Sequence, residues 1–268
     1  MRVEQLGDGE PEVAIVGAVH GDEPCGVRAI ERLLEDDPEV ERPVKLVVAN
    51  EVALERGVRY VDADLNRSFD GPATGAHEYE LAHELAEEVE GHTVLSLHST
   101  QSYPDPFGIV DGVDEPVPSI CPYLSLVALV DIGETEEGRP FAIEADLVEV
   151  EAGIQGSETA AENAYRLARE FLTATDVLPG FTVGRDLPVY RLRDPIEKPP
   201  AAGYEVFVEN FARVEAGQPF AAADDEEFSA PEPFYPVLVS AGGYESIFGY
   251  AAERVGDLEA SNREHQSA

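Results

Sequence analysis

The chain has 268 residues, of which 55 are acidic and 18 basic, so its formal net charge is −37. Such an acid excess disfavours nucleic acid as a partner, because no basic stripe is available to neutralise phosphates. The excess is typical of proteins that work at high salt, where the Debye length falls to about 3 Å and repulsion between surface charges is muted.

Membrane association and disulfides are also disfavoured. The first residues lack the charged-then-apolar order of a signal peptide, and no apolar run reaches the length of a membrane span. Two cysteines, Cys25 and Cys121, do not make a disulfide framework, and we expect both to be small buried or half-buried residues. We therefore expect a soluble, cytoplasmic protein. Its oligomeric state stays open.

Strand-like and helix-like segments alternate up to about residue 175. This alternation predicts an α/β layered domain with a parallel or mixed sheet. Thr159 and Glu162 form a candidate capping box for the last predicted helix. The predicted strands cover residues 13–19, 44–48, 93–97 and 147–151, and the predicted helices cover residues 24–34, 77–89 and 163–171.

The amino-acid composition changes after Asp176, where prolines and glycines divide the chain into short runs of β-branched and aromatic residues. The runs at residues 189–192, 204–207 and 235–239 are typical of strands between turns. We therefore predict two domains, a catalytic α/β domain over residues 1–175 and a small β-domain over residues 176–268.

Metal-ligand side chains follow two of the predicted strands. His20 and Glu23 come after the apolar run that ends at Val19, and His98 follows the strand that ends at Leu97. In open α/β sheets, ligands bind outside the carboxyl ends of the strands. Two histidines and a carboxylate are the three-ligand set that holds a catalytic Zn²⁺ and keeps one position open. The sequence therefore predicts one zinc ion per chain at these residues.

His77 and Glu80 repeat the same spacing in a different setting. They lie in a segment where apolar residues recur at the helical period, so we expect both side chains, and His83, to face water. This second pair is not a predicted metal site.

Arg59, Asn66 and Arg67 lie between the two groups of metal ligands. Guanidinium matches a carboxylate in bidentate fashion, so these residues are candidates for holding an anionic substrate. The alternative is that Arg59 and Arg67 form ordinary surface ion pairs with nearby aspartates such as Asp64. The residues alone leave both open.

Five motifs occur in order along the chain: His20-Gly21-Asp22-Glu23, Arg59, Asp64-Leu65-Asn66-Arg67, Leu97-His98-Ser99-Thr100 and Val150-Glu151-Ala152-Gly153. This order closely resembles the succinylglutamate desuccinylase and aspartoacylase family, relatives of the zinc carboxypeptidases. The C-terminal segments Tyr235–Val239 and Gly243–Glu245 also resemble that family, so the likeness covers nearly the whole chain.

The resemblance implies a carboxypeptidase-like α/β/α sandwich with a mixed sheet, and a small C-terminal β-domain that partly covers the site. It implies the following roles: His20, Glu23 and His98 as zinc ligands, Glu151 as the carboxylate that activates water, Arg59 as a carbonyl-polarising group, Asn66 and Arg67 as a grip on a substrate carboxylate, and Tyr244 as a substrate contact from the C-terminal domain.

Several positions leave alternatives. Glu149 competes with Glu151 as the base, since strand alternation puts both on one face, and Glu151 is favoured because it adjoins the following turn. Ser96 stands where the family usually has aspartate, so support for His98 is weaker or comes from elsewhere. Arg139 is only a nearby candidate for a further substrate-binding arginine. The loop 101–108 either shapes the pocket or is a plain connector.

The leading functional hypothesis is a zinc-dependent deacylase that hydrolyses the amide of a small anionic N-acyl amino acid. A zinc carboxypeptidase acting on peptides is the close alternative. A catalytically silent metal-binding relative is another, which the candidate base Glu151 disfavours. The acyl group and the amino acid stay open.

Overall fold

The computed structural model describes residues 1–133, 145–181 and 183–260. Its strands are β1 (Arg2–Leu6), β2 (Val13–Gly17), β3 (Val44–Val48), β4 (Thr93–Thr100), β5 (Phe107–Val110), β6 (Leu129–Asp131), β7 (Asp146–Ile154), β8 (Leu187–Glu197), β9 (Tyr204–Val206), β10 (Pro219–Ala223), β11 (Glu226–Ser229), β12 (Tyr235–Val237) and β13 (Ile247–Leu258). Ten of them form one mixed sheet in the order β1-β3-β2-β4-β7-β5-β6-β8-β13-β12.

Helices cover both faces of the large sheet. They are α1 (Cys25–Asp36), α2 (Glu51–Arg56), α3 (His77–Val89), α4 (Val117–Ile120) and α5 (Glu158–Ala174). The apolar stripes of α1 and α5 pack into one core cluster with β2, β3 and β4, and the stripe of α3 packs on the opposite face. The predicted α/β/α sandwich with a mixed sheet is confirmed.

The sheet's parallel centre places the predicted metal ligands together. β2 pairs in parallel with β3 and β4, and β4 pairs in parallel with β7. The carboxyl ends of these strands therefore meet at one edge, which is where open α/β sheets form their binding crevice. His20 follows β2, and His98 lies near the end of β4.

Two close backbone approaches shape the turn after β2. A Cβ at Gly17 would lie 2.8 Å from the carbonyl carbon of Gly26, so glycine lets the first turn of α1 rest on the end of the strand. A Cβ at Gly21 would lie 2.1 Å from the carbonyl carbon of Ala53 in α2. Only glycine fits between His20 and the neighbouring helix, because no larger residue leaves room for that backbone contact.

The chain after residue 176 contributes to both sheets. β8 pairs with β6 and β13, and β12 pairs with β13, so these strands extend the large sheet. β9, β10 and β11 form a separate three-stranded sheet. The division into residues 1–175 and 176–268 remains a proposal about independent folding units.

Most predicted elements are present with shifted ends, and β3 and α3 have the predicted bounds. The predicted capping box does not begin α5: Ser157 is the N-cap residue, and its side chain accepts from the amide of Ala160. The sequence did not predict strands β1, β5, β6, β10, β11 and β13 or the short helices α2 and α4. Both cysteines are buried and unpaired, as expected. Within the described ranges, no helix combines the length and the apolar character needed to cross a membrane.

Candidate active site

Three buried side chains converge at the carboxyl edge of the sheet. Nδ1 of His20 lies 2.9 Å from Oε1 of Glu23, and Nδ1 of His98 lies 3.2 Å from Oε2 of the same carboxylate. The three ligand atoms all lie within 4.8 Å of one another, and the three residues are 2–4% exposed. Two strand ends and the turn that leads into α1 thus bring the predicted ligands together.

This donor set fits a zinc ion by its chemistry. Zn²⁺ binds imidazole nitrogens and carboxylate oxygens, and a site with three protein ligands is the catalytic form. Burial alone would raise the pKa of Glu23, but the adjacent His20 and His98 hold it well below its usual range. The carboxylate is therefore ionised, as a metal ligand must be.

Each imidazole is oriented by a group on its other nitrogen. Nε2 of His20 lies 3.3 Å from Oδ1 of Asp64. Nε2 of His98 lies 2.9 Å from Oγ of Ser96 and 3.7 Å from Oε2 of Glu149. Burial alone would lower the pKa of His98, but the charges of Glu149 and Glu23 raise it to about 9. Partners of this kind fix the orientation of metal-binding histidines.

Arg59 borders the metal-ligand cluster and also forms an ion pair. Its Nη1 donates to Glu23 over 3.1 Å, and its Nε donates to Asp64 over 3.1 Å. The pairing with Asp64 that the sequence left open is thus present. The Arg59 side chain is 42% exposed and lines the pocket. It therefore presents positive charge both to the cluster and to a ligand.

Asn66 and Arg67 reach the same pocket from the short 3-10 turn Leu65–Arg67. The Asp64 side chain begins this turn by accepting from the amide of Asn66. Oδ1 of Asn66 is buried with no hydrogen-bond partner among the described residues. Asp64 therefore positions both the turn and His20.

Glu149 and Glu151 lie on one face of β7, beside β4. In the parallel register, Glu151 pairs with His98 and Glu149 pairs with Ser96. Oε2 of each is buried with no hydrogen-bond partner among the described residues. Burial, together with the charge of Glu23, raises the pKa of Glu151 to about 8. Glu151 thus lies beside the ligand His98 in the sheet. Glu149 lies two residues earlier on β7, beside Ser96 and further from the carboxyl edge.

A cavity of about 390 Å³ joins these groups, and all eight predicted site residues line it. Tyr244 enters from the connection between β12 and β13, with Ser240 and Glu245. Burial raises the pKa of Tyr244, and so do Tyr250 and the charge of Glu151, so the hydroxyl stays protonated. Gln101 also lines the cavity, which assigns part of the loop 101–108 to the pocket wall.

Sequence reasoning missed Gln155 and Glu78. Gln155 lines the pocket and donates to the carbonyl of Asp22, one residue before Glu23. Its position in the turn after Glu151 was the available signal. Glu78 is fully buried, and its carboxylate accepts from the amides of residues 61–63, inside the Arg59–Arg67 segment. The apolar positions 81, 82, 85 and 89 extrapolate to position 78, so helical periodicity puts Glu78 on the buried face.

His77 and His83 lie away from the cluster. Each is half-buried rather than solvated: Nε2 of His77 lies 3.2 Å from Oδ1 of Asn50, and Nε2 of His83 lies 3.2 Å from the carbonyl of Gly71. The prediction that these two histidines face water was wrong, because α3 packs against the segment before it, whereas Glu80 is exposed as predicted. Arg139 lies outside the described residues.

Comparison with known proteins finds one matching family model and several curated relatives. Residues 9–106 match the family model of the succinylglutamate desuccinylase/aspartoacylase catalytic domain. The N-acyl-aromatic-L-amino acid amidohydrolase (carboxylate-forming) of Xenopus tropicalis is 34% identical over 106 residues, which is 34% of this chain and 34% of that protein. The matched segment thus spans about a third of the length of this curated relative.

Solved structures extend the likeness in fold to nearly the whole chain. Murine aminoacylase 3 superposes with a TM-score of 0.73 at 21% identity, covering 95% of this chain and 99% of that one. The ectoine utilization protein EutE from Ruegeria pomeroyi superposes with a TM-score of 0.77 at 19% identity, covering 94% of this chain and 87% of that one. At sequence identities of 21% and 19%, the likeness to these structures establishes the fold alone.

Proposed function

We propose that this chain, whose residues 9–106 match the model of the succinylglutamate desuccinylase/aspartoacylase catalytic domain, is a zinc-dependent hydrolase of N-acyl amino acids. The observation that carries the proposal is the convergence of His20, Glu23 and His98 in one small pocket with Glu151, whose Oε2 has no hydrogen-bond partner among the described residues. The products are a small carboxylic acid and the free amino acid.

Zinc held by His20, Glu23 and His98 would supply Lewis-acid charge and lower the pKa of water to about 7. Glu151 acts as the general base: it takes the proton from water as the water oxygen attacks the acyl carbon. It then returns that proton to the leaving nitrogen as the C–N bond breaks. The Glu151 carboxyl group holds the proton between these two steps.

Arg59 supplies positive charge where the acyl oxygen becomes negative. Its guanidinium is already fixed by Glu23 and Asp64, so little reorganisation accompanies charge development. Asn66 and Arg67 hold the substrate carboxylate from the adjacent turn, and a guanidinium suits that task because it can donate two parallel bonds. Tyr244 covers the opposite side and donates from a neutral hydroxyl.

The pocket's size supports a small substrate over a peptide. A volume of about 390 Å³ is near the lower end of the range for ligand sites, which is roughly 300–1,000 Å³. The wall formed by Ser240, Tyr244 and Glu245 narrows the site on the side of the C-terminal strands. These features favour the deacylase over the carboxypeptidase alternative. The unpartnered oxygen of Glu151 disfavours a silent metal-binding protein, which has no use for a free carboxylate there.

Composition supports the proposed setting. A net charge of −37 with only two lysines, Lys45 and Lys198, favours a cytoplasmic protein adapted to high salt. A small anionic substrate reaches the arginines under such conditions, because screening mutes the acidic surface.

The test is hydrolysis by the zinc-loaded protein at high salt. N-acetyl and N-succinyl amino acids are the test substrates, and C-terminal dipeptides are the controls. Release of free amino acid from an N-acyl substrate supports the proposal, and preferential cleavage of dipeptides identifies a carboxypeptidase instead. Zinc binding without hydrolysis of either class would leave only the silent alternative.

A further inference from the structure

We propose that Lys198 is a positioning residue that holds the connection between β12 and β13, residues 238–246, in the shape that presents Tyr244 to the pocket. We call this connection the Tyr244 loop. The inference rests on the proposed function, since it treats the pocket wall as a substrate contact. Lys198 itself follows β8 directly and does not line the cavity.

The Lys198 ammonium bridges the two arms of the Tyr244 loop. Nζ donates to the carbonyl of Ala241 over 2.9 Å and to the carbonyl of Tyr244 over 2.6 Å. The backbone amide of Lys198 also donates to the carbonyl of Ser246 over 2.8 Å. One residue therefore ties three positions of the loop to the end of β8.

Burying the Lys198 ammonium costs free energy unless hydrogen bonds replace its contacts with water. Lys198 is 9% exposed, and no carboxylate in the described ranges forms an ion pair with it. The ring centroids of Tyr204 and Phe248 lie 4.9 Å and 5.5 Å from Nζ, so cation–π attraction partly replaces hydration. The buried ammonium donates to backbone carbonyls of the loop, so it stabilises the loop conformation that supplies them. A loop conformation that withdrew those carbonyls would leave the charge without hydrogen-bond acceptors.

The choice of lysine also points to this role. The chain contains two lysines, and arginine supplies the rest of its positive side chains. A compact ammonium can direct its donors to two separate carbonyls, whereas a planar guanidinium favours a fork-shaped acceptor such as a carboxylate. The carbonyls of Ala241 and Tyr244 do not form a carboxylate-like pair, so lysine fits where arginine does not.

The loop provides much of the pocket wall. Leu238, Ser240, Gly243, Tyr244 and Glu245 all line the cavity. Within the loop, Ser240 Oγ accepts from the amide of Gly243 over 2.8 Å. Release of the ammonium bridge would leave the Tyr244 arm with the backbone bond from Lys198 to Ser246, the Ser240–Gly243 contact and packing of the ring at 6.1 Å from Tyr250. The carbonyls of Ala241 and Tyr244 would lose their donor. Misplacement by about 1 Å can cost a site roughly 100-fold in rate.

The experiment compares Lys198→Met with Lys45→Met, the other lysine of the chain. Lys45 is similarly tied down, with Nζ 2.6 Å from the carbonyl of Glu88 and 2.8 Å from its carboxylate, but it lies outside the pocket lining. For Lys198→Met we expect full zinc content, a roughly 10–100-fold loss of kcat/KM carried mainly by KM, and faster amide hydrogen exchange over residues 241–246. Lys45→Met keeps native kinetics and native exchange in that loop.

A double-mutant cycle with Tyr244→Phe separates positioning from general stability. If Lys198 acts through Tyr244, the loss of kcat/KM in the double variant is close to that of Tyr244→Phe alone. Should Lys198→Met fail to fold, Lys198→Gln keeps a donor at a similar reach and undergoes the same measurements. Native exchange and native KM in the folded Lys198 variant, or fully additive losses in the cycle, would overturn the proposal. Hydrogen exchange needs no substrate, so it tests Lys198 even if the native protein hydrolyses no N-acyl amino acid.

Discussion

Oγ of Ser96 lies 2.9 Å from Nε2 of His98, on the side of the ring opposite Glu23. The family that the sequence resembles usually has aspartate at this position, and here a hydroxyl takes the contact. The negative charge that an aspartate would supply comes from Glu149, whose Oε2 lies 3.7 Å from Nε2 of His98. Support for His98 therefore comes from two neighbouring strands, β4 and β7.

The first prediction concerns metal content. We expect one zinc per chain, and elemental analysis should find that His20→Ala and His98→Ala lose most of it, because each removes one of three buried ligands. Ser96→Ala removes only the support, so it keeps zinc with affinity weakened roughly 10–100-fold in chelator competition. His77→Ala is the matched control and keeps native zinc. If His77→Ala loses zinc and the other two variants keep it, the assignment of His20 and His98 as ligands is wrong.

The second prediction separates the two carboxylates of β7. Glu151→Gln should bind zinc and substrate yet lose about 100–10,000-fold in kcat, because an amide cannot take a proton from water. Glu149→Gln should instead weaken zinc binding, since Glu149 faces the rear nitrogen of His98. Steady-state kinetics and zinc titration of both variants make the comparison. An active Glu151→Gln beside an inactive Glu149→Gln would reverse the assignment of the base.

Arg67→Ala and Arg59→Ala should differ in which kinetic constant changes. Arg67 is assigned to a substrate carboxylate that is present in ground and transition states alike, so its loss should raise KM roughly 10–100-fold. Arg59 faces charge that develops only during reaction, so its loss should lower kcat about 100-fold. Zinc content is measured in parallel, because Arg59 also donates to Glu23.

A carboxylate-blocked substrate provides the control for Arg67. Amidating the free carboxylate should weaken the substrate for the native enzyme and matter little for Arg67→Ala. Equal processing of free and blocked substrates by the native enzyme would show that Arg67 has a structural role.

A fourth prediction concerns acid stability. Burial alone would raise the pKa of Glu78, but the amides of Val61, Asp62 and Ala63 hold it below its ordinary value of 4.5. The ionised carboxylate thus contributes stability at pH values above the unfolded pKa, and that contribution is lost as the pH falls through the lower folded pKa. Glu78→Gln should lower the free energy of unfolding at neutral pH by roughly 1–3 kcal/mol and flatten its dependence on acid pH.

Thermal unfolding across a pH series at constant high salt measures both effects. Glu80→Gln is the control, because Glu80 lies on the same helix but is exposed. If both variants unfold alike at every pH, the amide contacts of Glu78 contribute nothing measurable.

The sequence predicts the parallel centre of the large sheet and its helices better than the strands at the C-terminal end of the chain. β3 and α3 have the predicted bounds because their apolar periods are uninterrupted. The grouping of His20, Glu23 and His98 follows from the rule that parallel strands end at one edge. β13 was missed because Gly249 and Gly256 interrupt its pattern, and both have positive φ near shifts in the pairing with β8.

Residues that act through backbone contacts are harder to predict. Glu78 and Lys198 bind amides or carbonyls of distant segments, and such partners leave no motif in the sequence. The single available signal for Glu78 is a charge on an otherwise apolar helix face. Ser157 displaced the predicted cap of α5 because several polar residues near a helix start can compete for the same amide.

The continuity of the ten-stranded sheet has a consequence for how the active protein is made. All three metal ligands and Glu151 precede residue 152, but the Tyr244 loop is anchored between β12 and β13. A growing chain that stops before Ile247 thus holds the proposed reactive groups without their far wall. Strand β13 must pair with β8, fifty residues upstream at Ile247 and Glu197, before that wall exists. Under the proposed function, full activity therefore requires that β13 has joined the sheet, although every proposed reactive group lies on strands and turns made much earlier.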